Sequence, residues 1–140
     1  MLGMPTFHIG VEGVSAEHCA GFFVGWPKAP SADALSAMLH RSTYVVTARR
    51  DDQVVGFITA MSDGVIAAHI SLLEVLPPWQ GQGIGTELVR RMLGLLVDIY
   101  MIDLICDDDV APFYERHGLV RLTGMARRNH DAPVLGGQPG

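Results

Sequence analysis

The stretch LEVLPPWQGQGIGT, residues 73–86, decides the fold, because an aliphatic run stops at two prolines and a glycine-rich turn opens the next segment. Proline removes a backbone donor and ends regular structure, so residues 65–76 are predicted to form a strand that stops at Pro77. After the turn, apolar residues recur at helical spacing over residues 86–98. The predicted order is strand, glycine loop and helix.

Three glycines at alternate positions, Gly81, Gly83 and Gly85, give this turn its chemistry. Glycine adopts backbone conformations closed to other residues and lets a ligand approach the backbone. At a helix start the first N–H groups lack intrahelical partners and carry the positive end of the helix dipole, so a pyrophosphate is a natural ligand. Together with Thr86, the loop is a predicted phosphate site. A merely tight turn needs one glycine and does not explain three.

Two other phosphate-binding loops fit the sequence poorly. The chain has no GKS or GKT sequence, which the P-loop of nucleotide hydrolases requires. A dinucleotide-binding fingerprint would need glycine where Thr86 stands. It would also follow the first strand of a βαβ unit, whereas the strand before this loop is predicted to be the last of a meander.

The segments around the loop predict a mixed α/β fold of the order β-α-α-β-β-β-α-β-α-β, in a single domain over residues 1–130. Residues 44–49, 54–62 and 65–76 are strand-like and are joined by polar turns, which predicts an antiparallel meander. The other predicted elements are a strand at 6–11, a helix from a capping box at Ser15 to about Phe23, a helix from Ser31 to about His40, the helix at 86–98, a strand at 102–106, a helix at 110–117 capped by Asp107, Asp108 and Asp109 and closed by Gly118, and a strand at 119–128. Residues 131–140 are predicted to be a flexible tail.

Length, composition and charge exclude several classes of protein. The chain has 140 residues, 49% hydrophobic and 18% charged, which suits one ordinary globular domain. A formal net charge of -5 with 10 Lys and Arg gives no basic stripe, so nucleic acid is not a predicted partner. No apolar run approaches the roughly 20 residues of a membrane span, and residues 1–5 lack the features of a signal peptide, so the cytoplasm is the expected location.

Cysteines and histidines show no metal-site spacing. Cys19 and Cys106 lie far apart and match no zinc or CxxC pattern, so both are predicted to be buried thiols. Four histidines are likewise assigned to structure or surface: His8, His18, His40 and His117. No metal is predicted.

Two motifs in order make the chain similar to the GNAT (Gcn5-related N-acetyltransferase) superfamily. The family signature Q/R-x-x-G-x-G/A is met by Gln80, Gly83 and Gly85. Residues 111–119, APFYERHGL, resemble the family segment that carries a Phe-Tyr pair, with Leu119 in place of the usual Phe. The resemblance covers at least residues 44–125 and implies the acyl-CoA N-acyltransferase fold, in which the mixed central sheet is splayed.

The resemblance also implies acetyl-coenzyme A (acetyl-CoA) as co-substrate. Backbone groups of Leu73 and Val75 would hold the pantetheine arm, beside a bulge that splays this strand from the next. Phe113 and Asp108, which stands where many members have Asn, are further cofactor residues by the same resemblance. The loop residues implied in cofactor binding are Gln80, Gly81, Gln82, Gly83, Ile84, Gly85 and Thr86.

Family members transfer the acetyl group by direct attack of a neutral amine on the thioester, without an acyl-enzyme. Tyr114 matches the usual general acid, and a phenol with an ordinary pKa of about 10 is mostly protonated at pH 7, as a proton donor must be. Three hypotheses for the base stay open, of which His69 is favoured and Glu74 is the second choice. His69 lies where related branches have Glu or His, and imidazole titrates near neutrality. Glu74 would need the bulge to turn it inward, and water is the third hypothesis.

The predicted function is therefore an N-acetyltransferase for a primary amine that the sequence does not identify. The aromatic stretch FFVGW at residues 22–26 either lines an acceptor pocket or packs the core. The alternatives are a non-catalytic coenzyme A-binding sensor or regulatory module, which Tyr114 argues against, and a structural module with a vestigial loop. A homodimer is the expected assembly if the protein associates, because dimers are the commonest oligomers.

Overall fold

The structure is a computed structural model that describes residues 3–134. Its centre is a sheet with strand order β1-β2-β3-β4-β5, antiparallel throughout except for the parallel pair β4 and β5. The strands and helices are β1 Thr6–Ile9, α1 Ala32–Arg41, β2 Tyr44–Arg50, β3 Gln53–Ser62, β4 Ala67–Val75, α2 Ile84–Leu95, β5 Met101–Asp103 and α3 Ala111–Glu115. The predicted mixed α/β fold, its meander and its βαβ crossover are confirmed.

Helix α2 covers one face of the sheet and α1 the other. Four buried side chains of α2, Ile84, Leu88, Val89 and Met92, join the larger apolar cluster with β2, β3 and β4. The close approach depends on Gly56 in β3, where an added Cβ would lie 3.2 Å from side-chain atoms of both Ile84 and Leu88. The start of α2 therefore packs closely on the middle of the sheet. This contact also positions the glycine loop.

A β-bulge at Ser71 changes which face of β4 meets α2. Ala60 of β3 pairs with Ile70 and Thr59 pairs with Leu72, so Ser71 is the extra residue. Before the bulge, Ala68 and Ile70 belong to the cluster beneath α2, whereas after it Leu73 and Val75 pack against that cluster. The bulge that the family resemblance implies is present on β4.

The predicted helix from Ser15 to Phe23 is wrong beyond its first turn. Ser15 N–H donates to His18 Nδ1 at 3.2 Å, so a capping interaction forms, but only a 3₁₀ turn at Ala16–His18 follows. Gly21 and Phe23 have φ values of +93° and +64°, which no right-handed helix accommodates. The second predicted helix is confirmed, and the Ser31 hydroxyl accepts from the Ala34 N–H at 3.1 Å.

Three predictions for the C-terminal half are also corrected. The strand predicted at 119–128 does not form, because these residues make no strand ladder with the described chain. The cap of α3 is Val110 and not an aspartate side chain, although the Asp107 carbonyl accepts from the Val110 N–H. The strand predicted at 102–106 ends at Asp103. The predicted tail is partly outside the description, since residues 135–140 are not described.

None of the helices within residues 3–134 has the length and apolar character needed to cross a membrane.

Candidate active site

The glycine loop has the backbone geometry that its sequence predicts. Gly81 and Gly83 have φ values of +77° and +85°, in the left-handed region that favours glycine. Gly83 is the N-cap of α2, and no side chain caps this end. Its carbonyl accepts the first intrahelical bond from Glu87 at 3.1 Å, so the N–H groups of the first turn have no intrahelical acceptor. An anion at this position would meet free donors and the positive end of the helix dipole.

Gly85 serves the loop for a different reason. It lies inside α2, and an added Cβ would be 3.8 Å from Phe113 Cζ of α3, which is an ordinary contact. Phe113 therefore lies beside the glycine loop at Gly85. The family resemblance implies cofactor binding for both residues. Thr86 is exposed on the same turn, whereas the side chain of Ile84 is buried in the core, so Ile84 offers a ligand only its backbone.

The two glutamines of the loop bind the preceding backbone. Gln80 Nε2 donates to the Val75 carbonyl oxygen at 2.9 Å, and Gln82 Nε2 donates to the Pro78 carbonyl oxygen at 3.4 Å. Gln80 thus ties the loop to the end of β4. Since a carbonyl has two lone pairs, Val75 can still accept a second bond from a ligand.

Two arginines neutralise the single carboxylate in the first turn of α2. Glu87 accepts from Arg91 Nε at 2.7 Å and from Arg90 Nε at 2.9 Å. These hydrogen bonds lower the pKa of Glu87 to about 2. The carboxylate is therefore charged but paired, so it does not cancel the attraction of the helix start for an anion.

Strands β4 and β5 separate soon after they meet. Their parallel pairing runs only from Ala67 with Met101 to His69 with Asp103. Beyond His69, the edge of β4 that faces β5 has no strand partner among residues 3–134. Leu73 and Val75 lie in this unpaired stretch, where the family resemblance implies that the pantetheine arm binds.

A cleft of about 970 Å³ opens on the β5 side of this split. His69, Asp108 and Tyr114 line it together with residues 117–125. The structure thus brings the predicted acid and the favoured predicted base to one cavity. The glycine loop does not line this cavity, and α3 joins the two parts, since Phe113 lies beside Gly85 and its ring centroid is 5.0 Å from that of Tyr114.

Tyr114 is a buried phenol at the wall of the cleft. Only 8% of the residue is exposed, and its hydroxyl has no hydrogen-bond partner among the described residues. Burial, with a smaller contribution from Cys106, raises the pKa of Tyr114 to about 12. The hydroxyl therefore holds its proton at neutral pH and is free to donate it to a group in the cleft.

Glu74 has a different environment from His69. It is half-buried and does not line the cleft. Burial raises the pKa of its carboxyl group, and a hydrogen bond from the Phe23 backbone opposes this increase. The bulge at Ser71 leaves Glu74 on the face away from α2, against the loop that carries Phe23.

The aromatic stretch at residues 22–26 is predicted either to line an acceptor pocket or to pack the core, and two of its residues both pack the core and line a cavity. Phe22 and Phe23 pack edge-to-face on Phe57, with ring centroids 5.1 Å and 6.3 Å away, and therefore belong to the core beneath α1. The same two residues line a second cavity of about 260 Å³. Trp26 lies outside that cavity and is exposed.

Cys106 contradicts the prediction that both cysteines are buried. Cys19 is buried, and its Sγ donates to the Ser15 carbonyl oxygen at 3.4 Å, but Cys106 is exposed and lines the cleft with Tyr114. The sequence holds a signal for this placement. Cys106 follows β5, and ligands of parallel sheets bind beyond the carboxyl ends of the strands.

Alkylation distinguishes the two thiols. We expect iodoacetamide to modify Cys106 rapidly and Cys19 slowly, because Cys19 is buried and its burial raises the pKa of the thiol. Saturating acetyl-CoA should slow the modification of Cys106, as measured by peptide mass spectrometry. Cys106→Ser serves as the control, since it should remove the rapid phase. Equal rates for Cys106 with and without acetyl-CoA would contradict the expectation that the cofactor enters this cleft.

Among residues 3–134, no group of three or more His, Cys, Asp or Glu side chains is arranged to hold a metal ion.

The chain is similar in sequence to proteins that are named as N-acetyltransferases. The chain is 30% identical over 103 residues to an uncharacterized N-acetyltransferase, ycf52, of Porphyra purpurea, which covers 70% of this chain and 59% of the relative. It is 44% identical over 68 residues to GCN5-related N-acetyltransferase 3, chloroplastic, of Arabidopsis thaliana, covering 47% of this chain and 29% of the relative. The chain thus spans less than two thirds of these relatives.

The fold matches solved structures over nearly the whole chain. A candidate acetyltransferase of Deinococcus radiodurans R1 superposes with a TM-score of 0.87 at 50% identity, covering 90% of this chain and 89% of that one. A GNAT-family acetyltransferase of Streptococcus pneumoniae TIGR4 superposes with a TM-score of 0.69 at 28% identity, covering 90% and 98%.

The sequence profile of the Acetyltransferase (GNAT) family matches residues 11–119. This range contains the glycine loop, both separated strands, His69 and Tyr114. The match, the named relatives and the shared fold confirm the family resemblance. The chain belongs to the acetyltransferase (GNAT) family.

Proposed function

We propose that this protein is an N-acetyltransferase that moves the acetyl group of acetyl-CoA to a primary amine. The observation that carries the proposal is the shared cleft of Tyr114 and His69, at the point where β4 and β5 separate. The free donors at the start of α2 suit the pyrophosphate of the cofactor. The unpaired edge of β4 suits its pantetheine arm, which could add to the sheet as a strand does.

In the proposed reaction the neutral amine attacks the thioester carbonyl carbon directly. A C–N bond forms, the C–S bond breaks, the amine nitrogen loses a proton, and the departing thiolate gains one. Tyr114 supplies the proton to the sulfur, because this residue lines the cleft and its raised pKa keeps the hydroxyl protonated. The products are an amide and coenzyme A.

His69 is the base that the geometry favours. Its side chain is exposed at the cleft that contains Tyr114, whereas Glu74 lies outside that cleft. A base must reach the amine proton directly or through one water molecule, so a residue outside the cleft is poorly placed. Water-mediated proton removal with His69 as the final acceptor fits the same position.

The charge of the cleft favours a cationic acceptor. Asp103, Asp108 and Glu115 line it, and Arg121 is the one arginine among the described residues of the lining. Arg121 already pairs with Asp108 at 3.3 Å and with Glu115 at 3.4 Å, which leaves the lining acidic. We therefore propose an acceptor that is protonated in solution and loses a proton on binding.

A cytoplasmic location stays a prediction.

An amine screen tests the proposal. The full chain is incubated with acetyl-CoA and polyamines, amino acids or lysine peptides, and coenzyme A is measured by chromatography, since a thiol reagent would also report Cys106. We expect amine-dependent release with at least one acceptor class. His69→Gln should lower kcat by about a hundredfold, in the range for general base catalysis.

His8→Gln is the matched control, because His8 is exposed on β1, its side chain hydrogen-bonds to Thr6, and it does not line the cleft. Unchanged kcat and pH profile in His69→Gln would leave Glu74 or water as the base. Acetyl-CoA binding without release for any amine would instead support the non-catalytic coenzyme A-binding module.

A further inference from the structure

Cys106 is an exposed thiol in the candidate active site. It follows the end of β5 at Asp103 and lines the cleft that also contains Tyr114 and His69. Cys19, by contrast, is buried in the apolar cluster on the α1 side of the sheet. The proposed reaction gives the Cys106 thiol no role, so a nucleophile lies in the cleft that acetyl transfer does not need.

The hydroxyl of Tyr114 indicates that a ligand atom belongs beside this thiol. Tyr114 is 8% exposed, and its hydroxyl makes no hydrogen bond within residues 3–134. Every fully buried side-chain oxygen or nitrogen of these residues has a hydrogen-bond partner. The hydroxyl oxygen is therefore not fully buried, and the cleft is the surface that Tyr114 lines. A polar group in such a position is normally satisfied by a ligand or by water.

The sulfur of Cys106 lies near the hydroxyl of Tyr114. Burial is the main cause of the raised pKa of Tyr114, and the charge of Cys106 is the second cause. A neighbouring charge has this effect on a pKa only at short range. In the proposed function the phenol gives its proton to the sulfur of coenzyme A, so that sulfur must come within hydrogen-bond reach of Tyr114. The sulfur of the protein and the sulfur of the ligand therefore meet beside the same hydroxyl.

The charges of the site favour a sulfur compound that carries phosphates. The free N–H donors at the start of α2 suit the phosphates of coenzyme A. Asp103, Asp108 and Glu115 make the lining of the cleft acidic, and only the uncharged pantetheine arm would enter it. Oxidised glutathione is a small anionic disulfide without phosphates, so these carboxylates would repel it and the start of α2 would not hold it.

We propose that Cys106 is a site of covalent modification by coenzyme A disulfide, an inference that rests on the proposed function because it uses the same cofactor site. One half of the disulfide binds where acetyl-CoA binds, and the Cys106 thiolate attacks the sulfur of that half. An S–S bond forms between Cys106 Sγ and the bound half, and the S–S bond of the reagent breaks. The other half leaves as a thiolate and takes up a proton. Cys106 loses its proton to solvent, so one disulfide replaces another without a further oxidant.

The adduct would block the candidate active site. Its pantetheine arm would fill the site of acetyl-CoA, so the cofactor could not bind until a thiol reduces the new disulfide. Coenzyme A is the product of the proposed reaction, and the reagent is its oxidised form. The modification would therefore make acetyl transfer depend on the redox state of the coenzyme A pool.

Mass spectrometry of the reduced full chain after incubation with coenzyme A disulfide tests the proposal. We expect one adduct with the mass of coenzyme A minus two hydrogen atoms, located by peptide mapping on Cys106 and not on Cys19. Oxidised glutathione at the same concentration should react at least about tenfold more slowly, because it lacks the phosphate contacts that raise the effective concentration of the bound sulfur. Cys106→Ser is the matched control and should form no adduct.

Gly83→Asp tests whether the phosphate contacts cause this selectivity. The variant keeps the thiol, but its new carboxylate at the N-cap of α2 would take the place of a phosphate. Its rate with coenzyme A disulfide should therefore fall to the rate with oxidised glutathione. Calorimetry gives a further readout. Modified wild type, freed of excess reagent, should not bind acetyl-CoA, and dithiothreitol should restore binding.

Two results would overturn this inference and leave the proposed function intact. One is a wild-type protein that binds acetyl-CoA but forms no adduct at Cys106. The other is such a protein that reacts equally fast with coenzyme A disulfide and with oxidised glutathione, since the thiol would then be only an exposed one. A folded wild type that does not bind acetyl-CoA would overturn the proposed function together with the inference.

Discussion

Gly83→Asp should abolish acetyl-CoA binding while leaving the fold intact. Gly83 is the N-cap of α2, and aspartate is among the best N-cap residues and tolerates the left-handed backbone better than most residues. The new carboxylate would accept from the first-turn N–H groups itself. It would therefore occupy the place of the pyrophosphate and repel it. We expect affinity to fall at least a hundredfold, which is about 2.8 kcal/mol.

Calorimetric titration with acetyl-CoA measures this loss, and circular dichroism verifies the fold. Gly10→Asp is the matched control, because Gly10 also has a positive φ, +92°, and open space around it, but it lies after β1, away from the loop. That variant should bind like the wild type. Wild-type affinity in Gly83→Asp would remove the loop from the binding site. No binding by the folded wild type would sink the acetyltransferase proposal itself.

The glycine loop could be predicted from sequence because its constraints are local. Gly81 and Gly83 adopt the positive φ values that only glycine adopts easily, and Pro77 ends the strand just before them. The hairpins that join β2, β3 and β4 are local in the same sense. A short stretch of residues is sufficient to specify each turn, so sequence and structure agree there.

The predicted elements that failed depend on distant partners or on backbone conformations without a sequence signal. Phe23 adopts a positive φ, which is uncommon for a bulky side chain, so its residue type does not indicate that the helix predicted from Ser15 stops after one turn. Residues 119–128 are predicted to form a final strand, but a strand also needs a neighbouring strand, and residues 3–134 do not supply one. The residue types of a segment can indicate a strand, but they do not show whether another strand lies beside it.

The sequence predicts which residues form the site, but it does not predict how the fold brings them together. Tyr114 and His69 are separated by 45 positions in the sequence numbering (114 − 69), and only the parallel crossover brings β4 beside β5 and α3. The bulge at Ser71 decides that Glu74 faces away from α2, and no glycine marks it. Cys106 is predicted to be buried because cysteine usually is, whereas the structure exposes it in the cleft.

Tyr114→Phe should lower kcat by about two to four orders of magnitude, the usual contribution of a positioned general acid. The substitution removes only the hydroxyl, so the ring keeps its contact with Phe113 and its place in the core. Acetyl-CoA affinity should change little, because the proton is needed only as the C–S bond breaks. Single-turnover kinetics with the best amine and titration of the cofactor separate these two effects.

The pH dependence of kcat gives a second test of Tyr114 as the general acid. Burial raises the pKa of Tyr114 from an ordinary 10.0 to about 12, so the donor stays protonated throughout the neutral and mildly alkaline range. Ionisation of Tyr114 should therefore cause no loss of kcat until the pH approaches about 12. The same shift favours the folded state fully below the unfolded pKa, and this stabilisation is lost as the pH rises through the folded value.

Tyr100→Phe is the matched control for the chemical step. Tyr100 lines the same cleft, but it is exposed, so its loss should leave kcat nearly unchanged. Equal losses in the two variants would show that the cleft needs both rings for shape and not a proton from Tyr114. If the Tyr114→Phe variant keeps wild-type kcat, Tyr114 is not the general acid. Another proton donor in the cleft would then take this role, and the Cys106 thiol is one such donor.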